Sequence, residues 1–259
     1  MKKKNLKNKP LVEALLEVKW QLPVSKTPGI QEDPHYRLLL GRLSERVEGE
    51  YPFHEALPTA QIPDAMVAHM VQHRFRTSDG GWPLIQVGPG LMTVNETDAY
   101  IWTDFKERCV RAVDWLFSAH PAKEQLMIQE LTLRYIDAVN VDFSQESVFE
   151  FLKDKMNTHI SLPDTLFDGE RVGQTPAAFN WQASFPNDSP GGLMTLRFAV
   201  GNHKEKQALI WETLVQATHS SIPALPDGFS EWLDQAHELT DDWFFKLIEG
   251  ELERRFSGE

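Results

Sequence analysis

The sequence predicts an α+β protein, an antiparallel sheet with helices packed on one face and a long C-terminal helix. Three observations carry that expectation. Stretches of period-two hydrophobicity alternate with stretches of three- and four-residue spacing. Their order (strand, helix, three strands, helix) is given twice. Gly90-Leu91-Met92-Thr93-Val94 also recurs as Gly192-Leu193-Met194-Thr195-Leu196, and an Ile-Trp pair follows each copy, at Ile101-Trp102 and Ile210-Trp211. Two β-α-β-β-β-α pseudo-repeats, over 11–122 and 123–259, would form one compact unit behind a flexible basic tail at 1–10. An undivided sheet gripping the last helix is the alternative arrangement.

Each element has its own signal. In residues 11–22, Ala14, Leu16, Val18 and Trp20 fall on one face and Leu15, Glu17 and Lys19 on the other, as in a half-buried strand. A loop follows at 23–29. Asp33-Pro34 reads as a helix start, with Tyr36, Leu39, Leu43 and Val47 as the apolar stripe to about Glu48. Pro52, Pro58 and Pro63 make 49–65 an irregular crossing. Strands are expected at 66–77, 83–88 and 90–95, the first two joined by Ser78-Asp79-Gly80-Gly81. Asp104 and Glu107 have capping-box spacing for a second helix, whose face is Phe105, Cys109, Ala112, Val113, Leu116 and Phe117. The second half offers a strand at 127–141, a short helix at 147–155, and a loop at 157–175. Strands at 177–185, 193–200 and 206–217 follow, with a turn at 201–203. The last helix spans about 229–256, striped by Leu233, Ala236, Leu239, Trp243, Phe244, Leu247, Leu252 and Phe256.

Composition excludes several functions. The 259 residues carry a formal net charge of -12, so non-specific nucleic-acid binding is disfavoured; the lysines of 2–9 are the one dense basic cluster. No segment approaches the ~18 apolar residues of a membrane span. The start lacks an apolar signal core, and a single cysteine, Cys109, cannot form an internal disulfide. These features lead to the expectation of an acidic cytoplasmic protein.

No catalytic fingerprint stands out. Gly88-Pro89-Gly90 lacks the Lys-Ser/Thr of a phosphate loop, and there is no dinucleotide fingerprint or nucleophile elbow. No cofactor is expected. His69 and His73 stand four apart, but nothing completes a zinc site, so no metal is expected either. Cys109 falls on an apolar helix face and reads as core. Glu13, Glu17 and Glu130 could do acid–base work, although ion pairs with Lys19 and Arg134 across a sheet are simpler. Asn95, Arg134 and Asp137 would sit near strand ends and could line a polar crevice between the halves. His237, between Asp234 and Asp241, could join them as an oriented imidazole. Trp115, Trp232 and Phe245 sit off or at the edge of their helices' stripes, where aromatics can anchor a partner, or where two helices can bury them side by side.

Several segments together resemble a known family. They are Pro10-Leu-Val-Glu-Ala-Leu-Leu-Glu-Val18, Gly88-Pro-Gly-Leu-Met-Thr-Val-Asn95, Trp102-x-x-Phe105, Leu131-x-Leu-Arg-Tyr-Ile-Asp137 and Leu233-Asp-x-Ala-His237 with Trp243-Phe-Phe245. The chain resembles an uncharacterised, sporadically distributed prokaryotic family of similar length. That family brings no reaction and no catalytic residues. Its patchy distribution implies a mobile-element or antiphage-defence setting. The expectation is therefore a non-enzymatic interaction or regulatory module that meets a protein partner or its own copy through the last helix. The alternative is a small-molecule-binding protein or an enzyme using the crevice.

Overall fold

Two strands with clear alternation in the sequence lie side by side at the centre of one sheet. The structure, a computed structural model, describes residues 6–23, 31–97, 99–169 and 171–259. In chain order the strands are β1 (Leu11–Trp20), β2 (Phe53–Ala56), β3 (His73–Arg76), β4 (Leu84–Gly88), β5 (Leu91–Glu96), β6 (Ile128–Asn140), β7 (Asn180–Asp188), β8 (Gly191–His203) and β9 (Lys206–Thr218). The helices are α1 (Tyr36–Val47), α2 (Trp102–Ala119), α3 (Val148–Lys155), α4 (Phe229–Ile248) and α5 (Glu251–Ser257). All nine strands join in the order β2-β3-β4-β5-β1-β6-β9-β8-β7, and every pair is antiparallel. The order reads outward symmetrically from the β1–β6 pair, with β5 and β9 flanking it, then β4 and β8, then β3 and β7.

The period of two decides which side is covered. Ala14, Leu16 and Val18 of β1 and Leu131 and Leu133 of β6 are fully buried on one face. The predicted stripes of α1 and α2 cover them, together with Phe229, Trp232, Leu233 and Ala236 of α4. A second core joins Val139, Phe198, Leu209 and Trp211 to α3, the end of α4 and α5. Trp243 packs against both cores. Burying one such aliphatic side chain contributes roughly 1.5–3 kcal/mol, so the two cores account for the arrangement.

Several expectations need correcting. The recurring pentapeptide does not mark equivalent strands: Gly90–Val94 opens at β5, beside the centre, whereas Gly192–Leu196 lies in β8, one strand further out. What the copies share is local. Each starts the second strand of a hairpin and turns its Met toward the helices. Asp33 does not cap α1, which begins at Tyr36; its Oδ1 accepts from the His35 N–H at 2.9 Å and its Oδ2 from Trp20 Nε1 at 3.0 Å. Asp104 lies inside the first turn of α2 rather than capping it. Ser147 does cap α3, accepting from the Phe149 N–H at 3.3 Å.

The strand expected at 66–77 is only β3, because Asp64–Met66 forms a 3-10 turn and His69 has φ 56°. The short β2 was hidden in the proline-rich crossing. Gly201–His203 continues β8, and the turn falls on Lys204 and Glu205, at φ 50° and 62°. The last helix breaks at Gly250, whose φ of 113° no helical residue adopts. The basic tail is docked where it is described: Leu6 is buried in the second core and the Asn8 N–H donates to Phe256 O at 2.8 Å. Residues 1–5, and most of the loop expected at 23–29, lie outside the described residues.

Candidate functional site

Among the described residues no element covers the face of the sheet opposite the helices, and most of its side chains are polar. In the first half they are tied to one another. Asn95 Nδ2 donates to Glu13 Oε1 at 2.7 Å, and Asn95 Oδ1 accepts from Thr93 Oγ1 at 2.5 Å and Gln86 Nε2 at 3.2 Å. Arg74 Nε then reaches Gln86 Oε1 at 2.8 Å, and Arg76 Nε reaches Glu55 at 3.2 Å. This part of the face is a satisfied ladder of cross-strand pairs.

The second half differs. There the open face is concave and holds a cavity of ≈ 360 Å³, floored by β1, β6, β9, β8 and β7. The register sets its contents. Lys19 stands opposite Glu130 and Glu17 opposite Thr132; Glu212 lies between Arg197 of β8 and Ile136 of β6. Lys19 Nζ is held by Glu17 at 2.7 Å and Glu130 at 2.8 Å. Burial pulls its pKa down, but those carboxylates outweigh it and hold the ammonium above its usual value. Arg197 reaches Glu212 at 3.0 Å, and Arg134 lies 3.8 Å from the same carboxylate. In the same cross-strand row as Arg134, on the outer strands, Ser184 and Thr195 share a hydrogen bond at 2.7 Å. Thr132 is 2% exposed, yet its Oγ1 has no hydrogen-bond partner, and neither does Arg134 Nε. A buried polar atom without a partner costs about 1–3 kcal/mol.

A second polar cluster sits on the helix side, where the two halves meet. Tyr135 of β6 bonds Tyr100 at 2.9 Å through the two hydroxyls and His237 Nδ1 of α4 at 3.0 Å. The imidazole stacks on Trp102, ring centres 3.7 Å apart. One step along β6, Asp137 is buried beside its cross-strand neighbour Trp211, and Thr213 stands beside Tyr135. Asp137 Oδ2, Trp211 Nε1 and Thr213 Oγ1 have no hydrogen-bond partner. Desolvation pushes the Asp137 carboxyl up to about 8 and raises the Tyr135 hydroxyl well above its usual value.

The crevice expected from sequence is therefore divided by the sheet. Asn95 and Arg134 lie on the open face, Asp137 and His237 on the helix side, and Asn95 is saturated by Glu13 and its neighbours. The odd spacing of Arg134 and Asp137 on one strand requires opposite faces. Asp234, offered as a partner for His237, takes Lys106 instead at 2.6 Å.

The three aromatics do not form one surface. Trp232 is 3% exposed and stacks on Phe229; Trp115 packs edge-on to Tyr51 under Arg111; Phe245 packs against the second core. Trp232 is interior, whereas Trp115 and Phe245 are half-buried, so the edge anchor read from sequence is not exposed at Trp232.

His69 Nε2 lies 3.2 Å from Trp20 O, and His73 Nδ1 lies 2.9 Å from His54. Among the described residues no group of three or more His, Cys, Asp and Glu is placed to hold a metal ion. Cys109 is fully buried, and desolvation raises its thiol. No described helix is long and apolar enough to cross a membrane.

Sequence reasoning missed Thr132, Ser184, Arg197 and Glu212. Their signal was the even spacing of polar residues along β6, β8 and β9, which acquires meaning only when register sets them side by side. No family model and no curated protein matches the chain. Among solved structures it is similar to the di-domain ARO/CYC StfQ from the steffimycin biosynthetic pathway, at 11% identity over 95% of this chain and 98% of that one. The TM-score is 0.22, too low to carry an argument.

Proposed function

We propose that the protein is a non-enzymatic recognition module that holds its ligand in the concave half of the open sheet face. One observation carries the reading: a cavity of ≈ 360 Å³ lined mainly by charged and polar side chains, with Thr132, whose buried hydroxyl has no partner, in its floor. The internally saturated ladder around Asn95 supplies the contrast, because it shows what this face looks like where nothing is left to bind. Trp232, first read as part of a partner surface, packs in the first core, while Trp115 and Phe245 are half-buried. A regulatory or accessory role, in a mobile-element or defence setting, is compatible with a module that binds and does not react. A partner could present the ligand.

The test is a thermal-shift screen of small polar compounds against the full chain and Thr132→Val. Compounds that stabilise the wild type should lose most of their effect on the variant. Equal shifts for both proteins would remove the open face from consideration.

The seam cluster favours a second reading, a buried acid–base site, because Asp137, Trp211 and Thr213 leave polar atoms unmatched beside the Tyr100–Tyr135–His237 chain. A compound whose stabilising effect is lost in Tyr135→Phe and retained in Thr132→Val would move the site there.

A further inference from the structure

The charged residues of the open-face cavity cancel in sum and separate in space. Glu17 and Glu130 share the single ammonium of Lys19, which leaves that end with one excess negative charge. Arg134 and Arg197 share the single carboxylate of Glu212, which leaves the other end with one excess positive charge. Glu130 and Arg134 are four residues apart on β6, so the poles stand on the order of 13 Å apart at ~3.3 Å per residue. The wall between them offers Thr132 and Gln216, and is extended on the β7–β8 side, level with the arginines, by Gln182, Ser184 and Thr195. It carries no aromatic ring that would stack a base or a sugar.

We infer that the ligand is a short extended peptide with free termini. Its ammonium lies at the Glu17–Glu130 end and its carboxylate at the Arg134–Arg197 end. This rests on the open face being the binding surface. Three arguments select that occupant. A ligand with one cation and one anion neutralises both poles, whereas a simple anion or cation satisfies one and is repelled by the other. Extended chain advances ~3.3–3.6 Å per residue, so three or four residues fill the distance. Backbone amides are what the hydroxyls and carboxamides lining the cavity can satisfy. The cavity lies toward the small end of the ~300–1,000 Å³ usual for ligand pockets, which excludes a folded partner from its floor. Side-chain identity would matter little, because the polar strip reads the backbone.

The experiment is isothermal titration of the full chain with trialanine and tetraalanine, each free, N-acetylated, C-amidated and doubly blocked. Free peptide should bind saturably, and each block should weaken it roughly 10- to 100-fold, the cost of a lost charged hydrogen bond. Arg197→Gln should bind free and amidated peptide alike, and Glu130→Gln should bind free and acetylated peptide alike. Circular dichroism melts establish that both variants fold, and Lys246→Gln serves as a distant charge control. Equal binding of free and doubly blocked peptide, or undiminished discrimination in both variants, would overturn the inference. Absence of peptide binding would overturn it too. If polar compounds still gave Thr132-dependent thermal shifts in that case, the recognition face would stand without the peptide; if they did not, both would fall.

Discussion

Asp137 makes the pH dependence of stability calculable. It is buried 98% by surface area, with one oxygen unmatched, and desolvation raises its carboxyl from 3.8 to about 8. The folded state therefore keeps a proton that the unfolded state releases above about pH 4. A state that binds more protons loses ground as pH rises, so this residue lowers folding stability by about 1.4 kcal/mol per pH unit between pH 4 and pH 8. The loss is absent below the unfolded value and constant above the folded one, and totals on the order of 5 kcal/mol. Asp137→Asn removes the titration and keeps the shape. Urea unfolding of both proteins at pH 5, 6 and 7 isolates the effect, because every other titrating group cancels in the difference. The stability of the variant relative to wild type should rise by about 2–3 kcal/mol from pH 5 to pH 7. A parallel pair of stability curves would refute the reasoning and mean that Asp137 is solvated or charged in the folded protein.

Other outcomes follow from the same geometry. Thr132→Val should raise stability by about 1 kcal/mol in urea unfolding without ligand, because it removes a buried hydroxyl with no partner. Leu133→Ala, at a fully buried position between β1 and β9, should lower stability by about 2–5 kcal/mol in the same assay. Gly192→Ala should cost at least about 2 kcal/mol, since its φ is 140° and an added Cβ would come 2.2 Å from Gln216 O across the β8–β9 pair. Truncating Leu6 to Ala should lower the melting temperature although it lies in the lysine-rich tail, because Leu6 packs in the second core.

How much of this was legible depended on whether a signal was local. The stripes of α1 and α2 come from residues within one helix, and periodicity identified Tyr36, Leu39, Leu43 and Val47 as the buried set. The faces of β1 and β6 were legible for the same reason. Asp33 and Asp104 misled on position: α1 begins three residues after Asp33, whose Oδ1 takes the His35 N–H and Oδ2 the Trp20 indole, and α2 begins two residues before Asp104. β2 was missed because all four of its residues are exposed at a sheet edge, which leaves no alternation to read.

The site failed differently. Asn95, Arg134, Asp137 and His237 were grouped by nearness to strand ends, and strand parity then sent them to two faces. Applied to Arg134 and Asp137, that parity could have been read from sequence. The cavity could not, because Lys19, Glu130, Thr132, Arg197 and Glu212 meet only through the pairing of β1 with β6 and of β9 with β8. Trp232 shows the complement: an edge position on one helix becomes interior once other elements pack beside it.

The most direct measurement is methyl and amide NMR of the full chain during titration with trialanine. Thr132, Leu193, Thr195 and Leu214, which line the concave face, should shift together and saturate, while Phe245 and the α4 amides stay in place. Shifts confined to α4, or to the Tyr135–His237 seam, would contradict recognition by the open face.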